Sequence, residues 1–345
     1  MNFKNQFSKK FSTDVLSWFD EHGRHDLPWQ KSITAYRVWI SEIMLQQTQV
    51  KTVIPYYKSF IKKFPNIEIL AAAKEDEVLH YWSGLGYYAR ARNLHKCAKL
   101  INQKKNKSFP SNIEELIELP GIGRSTAGAI LSIAYKKRVP ILDGNVKRVL
   151  TRFFTLSGWP GNKTIEKELW VIADKLTPED RVNDYTQAIM DLGATICTRS
   201  NPNCSKCPIS RNCNALKQNK INDFPEKKQK KQLSTKYISM FIIINKKGEV
   251  LLEKRPSKGV WARLWSLPEN ENILSNFKLK NQKSWKKFKH TFSHYHLCIQ
   301  PEEYHVISER DNLDMKNHTW YNITLPSDIG ISAPVKKILN KFKVV

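Results

Sequence analysis

The sequence lacks a long hydrophobic run and has few cysteines. No stretch approaches the roughly 18 uninterrupted apolar residues of a membrane-spanning helix, and the opening MNFKNQFSKKF carries lysines without the apolar core of a signal peptide. Six cysteines in 345 residues are too few for a disulfide scaffold. We therefore expect a soluble protein that acts inside the cell and has no membrane partner.

Acidic residues are also scarce, because 32 Asp and Glu stand against 57 Lys and Arg, a formal net charge of +25. Such an excess favours a polyanionic partner, most often nucleic acid. Many of these residues are lysines in a chain rich in Asn and Ile, so biased codon usage is an alternative source of the charge. Hydrophobic residues make up 41%, which excludes a disordered chain, and the length predicts two folded units.

The part of the chain from residue 12 to about 216 is predicted to be helical. Apolar residues recur near the helical period, without sustained alternation, in several segments separated by short breaks. These segments are Thr34–Gln49, Tyr87–Gln103, Asn112–Leu119, Ser125–Tyr135, Val146–Phe154 and Ile165–Leu176. The pattern predicts an all-α domain over residues 1–216.

Residues 217–236 differ in composition, since they are lysine-rich and almost free of apolar side chains, which is typical of a solvated linker. Beyond them, YISMFIIINKKGEVLLEKRP and WKKFKHTFSHYHLCIQ each predict two strands around a tight turn. A helix is expected from about Pro334 to Lys343. Residues 237–345 are therefore predicted to form a second, smaller α+β domain.

Four of the six cysteines fall in one short loop, at Cys197, Cys204, Cys207 and Cys213. Zinc fingers usually present two separated C-x2-C pairs, whereas this loop has a single pair flanked by longer gaps. Compact four-cysteine loops of this kind suit a [4Fe–4S] cluster, with zinc as the alternative. The spacing thus predicts a metal site over residues 197–213, which can serve simply to fix a loop whose cations meet phosphates.

Upstream, the segment ELPGIGRSTAGAIL, residues 118–131, predicts a helix–hairpin–helix within residues 112–135. Gly121 and Gly123 let the backbone approach a phosphate closely, and free N–H groups where Arg124 and Ser125 open the next helix can bind it without reading a base. The alternative is an ordinary corner between two helices. Together with the cysteine loop, the pattern favours binding to DNA.

Two carboxylates are candidates for acid–base chemistry. Asp143, in PILDGNVKRVL, stands where a helix begins, so we expect an N-cap whose ionised form is stabilised by helix N–H groups. Glu42, in AYRVWISEIMLQQTQV, lies on a mostly apolar helical face, although most glutamates are solvated. If Glu42 is buried, its pKa rises and it becomes a general acid, and such a pair cleaves glycosidic bonds.

The motifs LPGIGRSTAGAI, PILDGNVKRV, SEIMLQQTQV and GLGYYARARNLHK, with the four-cysteine loop, resemble those of the MutY-type adenine DNA glycosylases of the helix–hairpin–helix (endonuclease III) superfamily. The resemblance is densest from Asp26 to Cys213 and returns at HTFSHYHL and APV. Members of that family flip adenine out of a mispair with 8-oxoguanine and remove it. The resemblance implies a monomer with a [4Fe–4S] cluster, acting on double-stranded DNA with A:8-oxoguanine or A:G mispairs in the cytoplasm, at the nucleoid.

By the same resemblance, Glu42 protonates the adenine ring, Asp143 stabilises the sugar cation or forms a transient bond with it, and Asn145 helps to hold the geometry. Three further groups of residues are expected to contact DNA: an adenine pocket of Arg24, Trp29 and Gln187, a wedge of Gln46, Gln47 and Tyr87, and a lesion-reading turn with Ser293 and His294. Core packing is the alternative for Trp29, and an incidental surface hairpin is the alternative for the turn.

Two features depart from related proteins. Ser125 stands where the endonuclease III branch has a nucleophilic lysine, so we expect hydrolysis by water, with weak lyase activity through Lys147 as an open alternative. The second domain resembles a Nudix fold without the glutamate-rich magnesium helix, which predicts recognition without catalysis. A bifunctional endonuclease III-like glycosylase/lyase and a non-catalytic DNA-binding protein remain the competing interpretations.

Overall fold

The computed structural model describes residues 5–104, 108–228, 232–309 and 314–344. Contacts divide the chain into two compact units. The first comprises the described parts of Met1–Ala71 and Lys96–Gln229, and the second those of Ala72–His95 and Lys230–Val345. By this division Ala72–His95 groups with the C-terminal residues. The domain boundaries at 216 and 237 stay a prediction from composition.

Helices dominate the described chain before residue 218, as the periodicity predicts. In chain order they are α1 (Asn5–His22), α2 (Ala35–Leu45), α3 (Val50–Lys63), α4 (Ile67–Ala72), α5 (Glu75–Tyr81), α6 (Ala89–Gln103), α7 (Ile113–Ile117), α8 (Arg124–Ala129), α9 (Gly144–Phe154), α10 (Lys163–Leu176), α11 (Val182–Asp191), α12 (Asn214–Lys217) and, near the C-terminus, α13 (Ala333–Leu339). Two of them continue as π-helical turns, α8 through Ile130–Ala134 and α11 through Leu192–Ile196. None of the helices described is long and apolar enough to cross a membrane.

One buried apolar cluster of the first unit is built on the apolar faces of α1, α9, α10 and α11. Helix α9 buries Val146, Val149, Leu150, Phe153 and Phe154, which repeat at the three- and four-residue spacing of one helical face. Asp143 caps the start of α9. Asp143, a candidate for acid–base chemistry from the sequence, is therefore attached to a helix whose apolar face is buried along its whole length.

Two predicted helices differ from the observed ones at their ends. The helix expected over Thr34–Gln49 stops at Leu45, because the backbone leaves the helical region at Gln46 and Gln47 has a left-handed φ of 57°. The helix expected from Tyr87 begins at Ala89, since Tyr87 is also left-handed. Both corrections move predicted DNA-contacting side chains from helices to turns.

The second unit contains a mixed sheet. Its strands are β1 (Ser234–Ile244), β2 (Val250–Lys254), β3 (Trp265–Ser266), β4 (Phe277–Ser284), β5 (Phe288–Thr291), β6 (Tyr295–Glu309) and β7 (His318–Tyr321). The order is β3-β2-β1-β6-β4, with β5 also paired to β6 and β7 to β2, and only β1 and β6 run parallel among these pairs. Both predicted hairpins, β1–β2 and β5–β6, and the C-terminal helix are confirmed. The predicted fold class, an all-α part followed by a smaller α+β part, is confirmed with them.

Candidate active site

Glu42 lies on α2 between Ser41 and Ile43, which are buried, and it is itself partly exposed. The helix begins at Thr34, whose side chain accepts a hydrogen bond from the Arg37 N–H. Burial of the carboxyl group raises the pKa of Glu42 to about 8, and the negative charge of Asp143 adds to this rise. At neutral pH the side chain therefore carries a proton that it can donate.

Asp143 is the N-cap of α9, as its position predicts. Its Oδ1 accepts the Val146 N–H at 2.7 Å, and its Oδ2 accepts the Asn145 side-chain amide at 3.0 Å. Burial nevertheless raises the pKa of Asp143 above its usual value, while these hydrogen bonds and the charge of Arg148 lower it part of the way. The position of Asp143 at a helix start predicts these stabilising hydrogen bonds, but it does not show the burial that opposes ionisation.

The two carboxyl groups differ in how their ionised forms are stabilised. Asp143 receives hydrogen bonds and faces a cation, whereas burial and the charge of Asp143 both act against ionisation of Glu42. The last proton of the pair therefore stays on Glu42. An acid beside an ionised carboxylate is the arrangement that glycosidic bond cleavage through a cationic transition state requires.

Asn145 is held from its far side by Arg148. The Arg148 guanidinium donates to Asn145 Oδ1 at 2.9 Å, to the Gly193 carbonyl at 2.6 Å and to the Cys197 carbonyl at 2.7 Å. A Cβ at Gly193 would lie 2.6 Å from the Cβ of Asn145, so only glycine permits this approach. The amide that donates to Asp143 is thus locked in place by neighbouring backbone.

Two of the predicted adenine-pocket residues meet at a carboxylate that sequence reasoning missed. Asp191, whose side chain is 0% exposed, accepts the Arg24 backbone N–H at 2.9 Å, two Arg24 guanidinium N–H groups at 2.5 and 3.2 Å, and the Gln187 amide at 2.9 Å. The signal was the spacing of four residues in QAIMD, which places Asp191 one helical turn after Gln187. Asp191 therefore orients both side chains.

Trp29, the third predicted pocket residue, is 6% exposed and packs edge-on against Tyr57, with ring centroids 5.4 Å apart. It follows Pro28 in a short 3₁₀ turn, Pro28–Gln30. Gln30 fastens that turn, because its side chain donates to the Arg24 carbonyl at 2.7 Å and accepts the Leu27 N–H. The turn that carries Trp29 is thereby tied to Arg24, while the ring itself is largely in the core.

The predicted hairpin forms between α7 and α8. Gly121 has a left-handed φ of 82°, and Gly123 is the N-cap of α8, with open space where a Cβ would stand. Arg124 is exposed and its guanidinium lies 4.1 Å from the centre of the Trp170 ring. Ser125 opens the helix beside it and is partly exposed. The exposed glycine backbone and the following helix start are a suitable place for a phosphate.

The four loop cysteines line one pocket, which Val149, Arg152 and Phe153 of α9 close on another side. Within the described residues, no group of three or more His, Cys, Asp or Glu side chains is arranged to hold a metal ion. A cubane cluster needs its four sulfurs farther apart than a single ion does, since each sulfur binds a different iron. Arg152 lies with Nη1 3.3 Å from Cys197 Sγ, and this cation suits thiolate ligands. The donor set fits an iron–sulfur cluster.

The remaining predicted contacts lie on turns. Gln46 is partly buried, with its amide 3.5 Å from the Thr126 hydroxyl of the first unit, and Gln47 is exposed beside it. In the second unit, Tyr87 is 52% exposed. Ser293 and His294 are exposed between β5 and β6, with Ser293 Oγ 3.3 Å from His294 Nδ1. The exposed members of this set, Gln47, Tyr87, Ser293 and His294, are accessible to a ligand.

Lys147, the candidate for weak lyase chemistry, lies on α9 one turn after Asp143. Its ammonium group is 2.6 Å from Glu166 Oε1.

In the second unit, the segment after β3 is a short 3₁₀ helix, Glu271–Asn276, which contains a single glutamate. This segment does not supply the glutamate-rich helix of a magnesium-dependent Nudix hydrolase.

Comparison with known proteins gives two family matches. Residues 40–175 match the HhH-GPD superfamily of base excision DNA repair proteins, and residues 239–341 match the NUDIX domain. The chain is 45% identical to an adenine DNA glycosylase of Buchnera aphidicola subsp. Baizongia pistaciae, over 96% of this chain and 97% of that protein. It is 42% identical to an adenine DNA glycosylase of Buchnera aphidicola subsp. Schizaphis graminum, over 96% and 99% of the two chains.

A solved structure agrees with these matches for the helical part. A thermostable thymine-DNA glycosylase superposes with a TM-score of 0.55 at 27% identity, covering 62% of this chain and 98% of its own. The predicted fold, a helix–hairpin–helix glycosylase part followed by a Nudix-like part, is confirmed by the two family matches and this superposition.

Proposed function

This chain belongs to the adenine DNA glycosylase family, within the HhH-GPD superfamily of base excision DNA repair proteins, and from that premise we propose that it removes adenine mispaired with 8-oxoguanine or guanine in double-stranded DNA. It is an N-glycosylase, an enzyme that hydrolyses the bond between a base and its deoxyribose.

The observation that carries the mechanism is the raised pKa of Glu42, caused first by burial of its carboxyl group and then by the negative charge of Asp143. Glu42 donates its proton to N7 of the flipped adenine. The C1′–N9 bond then breaks, its electron pair leaves with the base, and a sugar cation develops at C1′. The carboxylate of Asp143 stabilises that cation. Water adds to C1′ and gives a proton back to Glu42, so that the enzyme returns to its starting state.

Asn145 and the Arg24–Asp191–Gln187 network supply geometry. Asn145 donates to Oδ2 of Asp143, and that bond directs the carboxylate. Asp191 accepts from Arg24 and Gln187 together, which supports a pocket whose donors and acceptors face the edge of the adenine. Trp29 contributes a wall of that pocket. The hairpin Gly121–Ser125 binds a phosphate of the DNA backbone through N–H groups.

Four cysteines, Cys197, Cys204, Cys207 and Cys213, would hold a [4Fe–4S] cluster. Burial raises the pKa of Cys207 to about 12, so the thiolate form needs the positive charge that a cluster supplies when bound. The chain's own contribution is Arg152, which reaches Cys197 from α9. We assign the cluster a structural role in shaping a basic loop on DNA.

Hydrolysis by water, without a Schiff base between a lysine and the sugar, completes the proposal. Ser125 offers no amine, and Lys147 is engaged with Glu166.

The remaining predicted side chains contact the DNA. Gln46, Gln47 and Tyr87 fill the gap in the DNA duplex near the lesion base, while Ser293 and His294 recognise 8-oxoguanine. Since the substrate is the chromosome, we place the enzyme in the cytoplasm at the nucleoid, acting as a monomer.

One assay tests the proposed reaction. Duplexes with A opposite 8-oxoguanine, A opposite G, and thymine glycol opposite A are incubated with the protein, and strand breaks are measured before and after alkali. We expect breaks at adenine only after alkali, and more with 8-oxoguanine than with G. Breaks before alkali would indicate the bifunctional glycosylase/lyase. Activity on thymine glycol alone would contradict the adenine assignment.

A further inference from the structure

Tyr87 presents an aromatic ring to solvent from an unusual backbone conformation. It is 52% exposed, and its φ of 48° lies in the left-handed region that residues other than glycine rarely adopt. Gly84 and Gly86 before it are also left-handed, with φ of 105° and 77°. A solvent-facing ring at the end of such a turn would be free to rotate unless other side chains hold it.

Arg90 contacts this ring from one helical turn further along. Its guanidinium carbon is 5.3 Å from the centre of the Tyr87 ring and 5.5 Å from the centre of the Trp82 ring. Both distances are within the ~6 Å range of a cation–π interaction. Burial lowers the pKa of Arg90 to about 10, so the group is still charged at neutral pH. A cation is thus shared between a buried indole and an exposed phenol.

The same two side chains also fix the backbone of the turn. Trp82 is fully buried, and its indole N–H donates to the Gly86 carbonyl at 3.1 Å. Arg90 Nη2 donates to that carbonyl at 3.4 Å and to the Leu85 carbonyl at 3.5 Å. The residue before Tyr87 is therefore held by Trp82 and Arg90 together.

We propose that Arg90 is a positioning residue for Tyr87, holding its ring in the orientation in which it stacks at the base step beside the flipped adenine. The inference rests on the proposed function, in which Tyr87 is the wedge. An ordered ring loses less conformational entropy when it enters the duplex, so preorganisation increases affinity for DNA. Arg90 acts through Tyr87 and does not itself contact a phosphate.

Arg92 provides a matched control on the same helix. It stands two positions after Arg90, and residues two apart on a helix do not share a face. Its guanidinium donates to the Ala262 carbonyl at 2.8 Å, within the second unit. Replacing it removes an arginine of similar burial from the same helix without removing a contact to Tyr87.

The test is a double-mutant cycle on the full-length protein. Wild type, Arg90→Met, Tyr87→Ala, the double variant and Arg92→Met are titrated with a duplex carrying an uncleavable 2′-fluoro-adenosine opposite 8-oxoguanine, at several KCl concentrations. We expect Tyr87→Ala to weaken binding by ~5–100-fold, as loss of one stacked base contact does. Arg90→Met is expected to weaken it by a smaller factor, and the double variant should bind like Tyr87→Ala alone.

The salt dependence separates positioning from phosphate contact. With Arg90 acting through Tyr87, the slope of log Kd against log[KCl] is the same for wild type and Arg90→Met. A slope reduced by about one charge would assign Arg90 to a phosphate and overturn the inference. Losses that multiply in the double variant, or an equal loss in Arg92→Met, would also overturn it.

Folding and the premise are checked in the same samples. If Arg90→Met melts well below Arg92→Met, Arg90→Lys is carried through the cycle, because lysine keeps the charge and loses the planar contact with the rings. A wild type that fails to release adenine from the cleavable duplex would refute the proposed function, and the role of Arg90 with it. If the wild type releases adenine and Tyr87→Ala binds weakly, a failed cycle refutes only the role of Arg90.

Discussion

Burial of the Glu42 carboxyl group and the charge of Asp143 together raise the pKa of Glu42, so the two carboxyl groups lose their protons one after the other. Asp143 ionises first because the Val146 and Asn145 N–H groups and the nearby Arg148 stabilise its negative form. Glu42 then keeps its proton up to about pH 8. This order assigns the acid to α2 and the anion to α9, and it fixes what each substitution should do.

Replacing Glu42 with Gln removes the proton donor and keeps the shape of the side chain. We expect single-turnover adenine release to fall by at least ~10²–10⁴-fold, the usual contribution of general acid catalysis, while the Kd for the duplex changes little. Rapid-quench measurement of base release, with a gel-shift titration alongside, checks both parts. A variant that releases adenine at a near-normal rate would remove Glu42 from the mechanism.

The pH dependence should follow the same proton. Because the protonated form of Glu42 is the active one, the single-turnover rate should decline about tenfold per pH unit above about 8, and decline again in acid as Asp143 gains a proton. A rate that still increases between pH 8 and 9.5 would contradict the assignment.

The pH dependence of folding stability tests the raised pKa of Glu42 without any substrate. Its pKa is raised from 4.5 to about 8 on folding, so the stability that the neutral carboxyl contributes is complete below pH 4.5 and is lost as the pH rises through about 8. Glu42→Gln stays neutral throughout. The Tm of Glu42→Gln minus the Tm of wild type should therefore increase from pH 5 to pH 9. If this difference is the same at all pH values, the Glu42 carboxyl group is solvated and its pKa is not raised.

Asp191→Asn should disturb both the pocket and the fold. An amide cannot accept all the hydrogen bonds that Arg24 and Gln187 donate, and loss of bonds to a charged group costs about 2 kcal/mol. We expect a lower free energy of unfolding in urea and a lower kcat/KM for adenine. Asp184→Asn is the control, since that partly exposed carboxylate on the same helix pairs with Arg181. Equal effects in the two variants would refute a specific role for Asp191.

The cysteine loop predicts iron in the purified protein, about four atoms per chain, with a brown colour. Cys204→Ala should lose iron and DNA affinity together. Without the cluster, the loop that carries Arg199, Lys206 and Arg211 is no longer fixed in its conformation. Cys298→Ala, in the second unit, should retain both. Elemental analysis after anaerobic purification provides the measurement, and stoichiometric zinc without iron would refute the cluster.

Ser293 and His294 are expected to discriminate 8-oxoguanine from guanine. Replacing both with Ala should reduce that discrimination by ~1–3 kcal/mol, the size of a lost base-edge contact, with A:G turnover largely unchanged. Thr291→Val with His296→Ala, a hydrogen-bonded pair on the same hairpin, is the control. The ratio of kcat/KM for the two duplexes gives the answer, and an unchanged ratio would move lesion reading elsewhere.

Local pattern was enough to predict much of this molecule. The helical period located α9 and its cap at Asp143, and glycine spacing located the hairpin, because capping and turn formation depend on neighbours in sequence. The break after Leu45 was not predicted, since the apolar pattern runs on through Val50. Its cause is the backbone at Gln46 and Gln47, which sequence periodicity does not report.

Long-range packing accounts for the other differences. Burial raises the pKa of Asp143, and burial depends on the elements that surround α9. Asp191 was not predicted because its role depends on a hydrogen-bonded pairing with Arg24, and Arg24 lies far earlier in the sequence. No local signal linked Asp76 to Lys254, whose side chains are 2.8 Å apart in the second unit.

That last pairing has a consequence for how the chain is made. Ala72–His95 leaves the ribosome long before Lys230 and the residues after it, yet these residues form one compact unit. Asp76 pairs with Lys254, and a Cβ at Gly330 would lie 2.6 Å from the Cβ of Leu79, so part of this segment's packing forms only after those later residues are made. A nascent chain therefore carries this segment without part of its partners through most of synthesis, which exposes apolar surface that chaperones and proteases recognise.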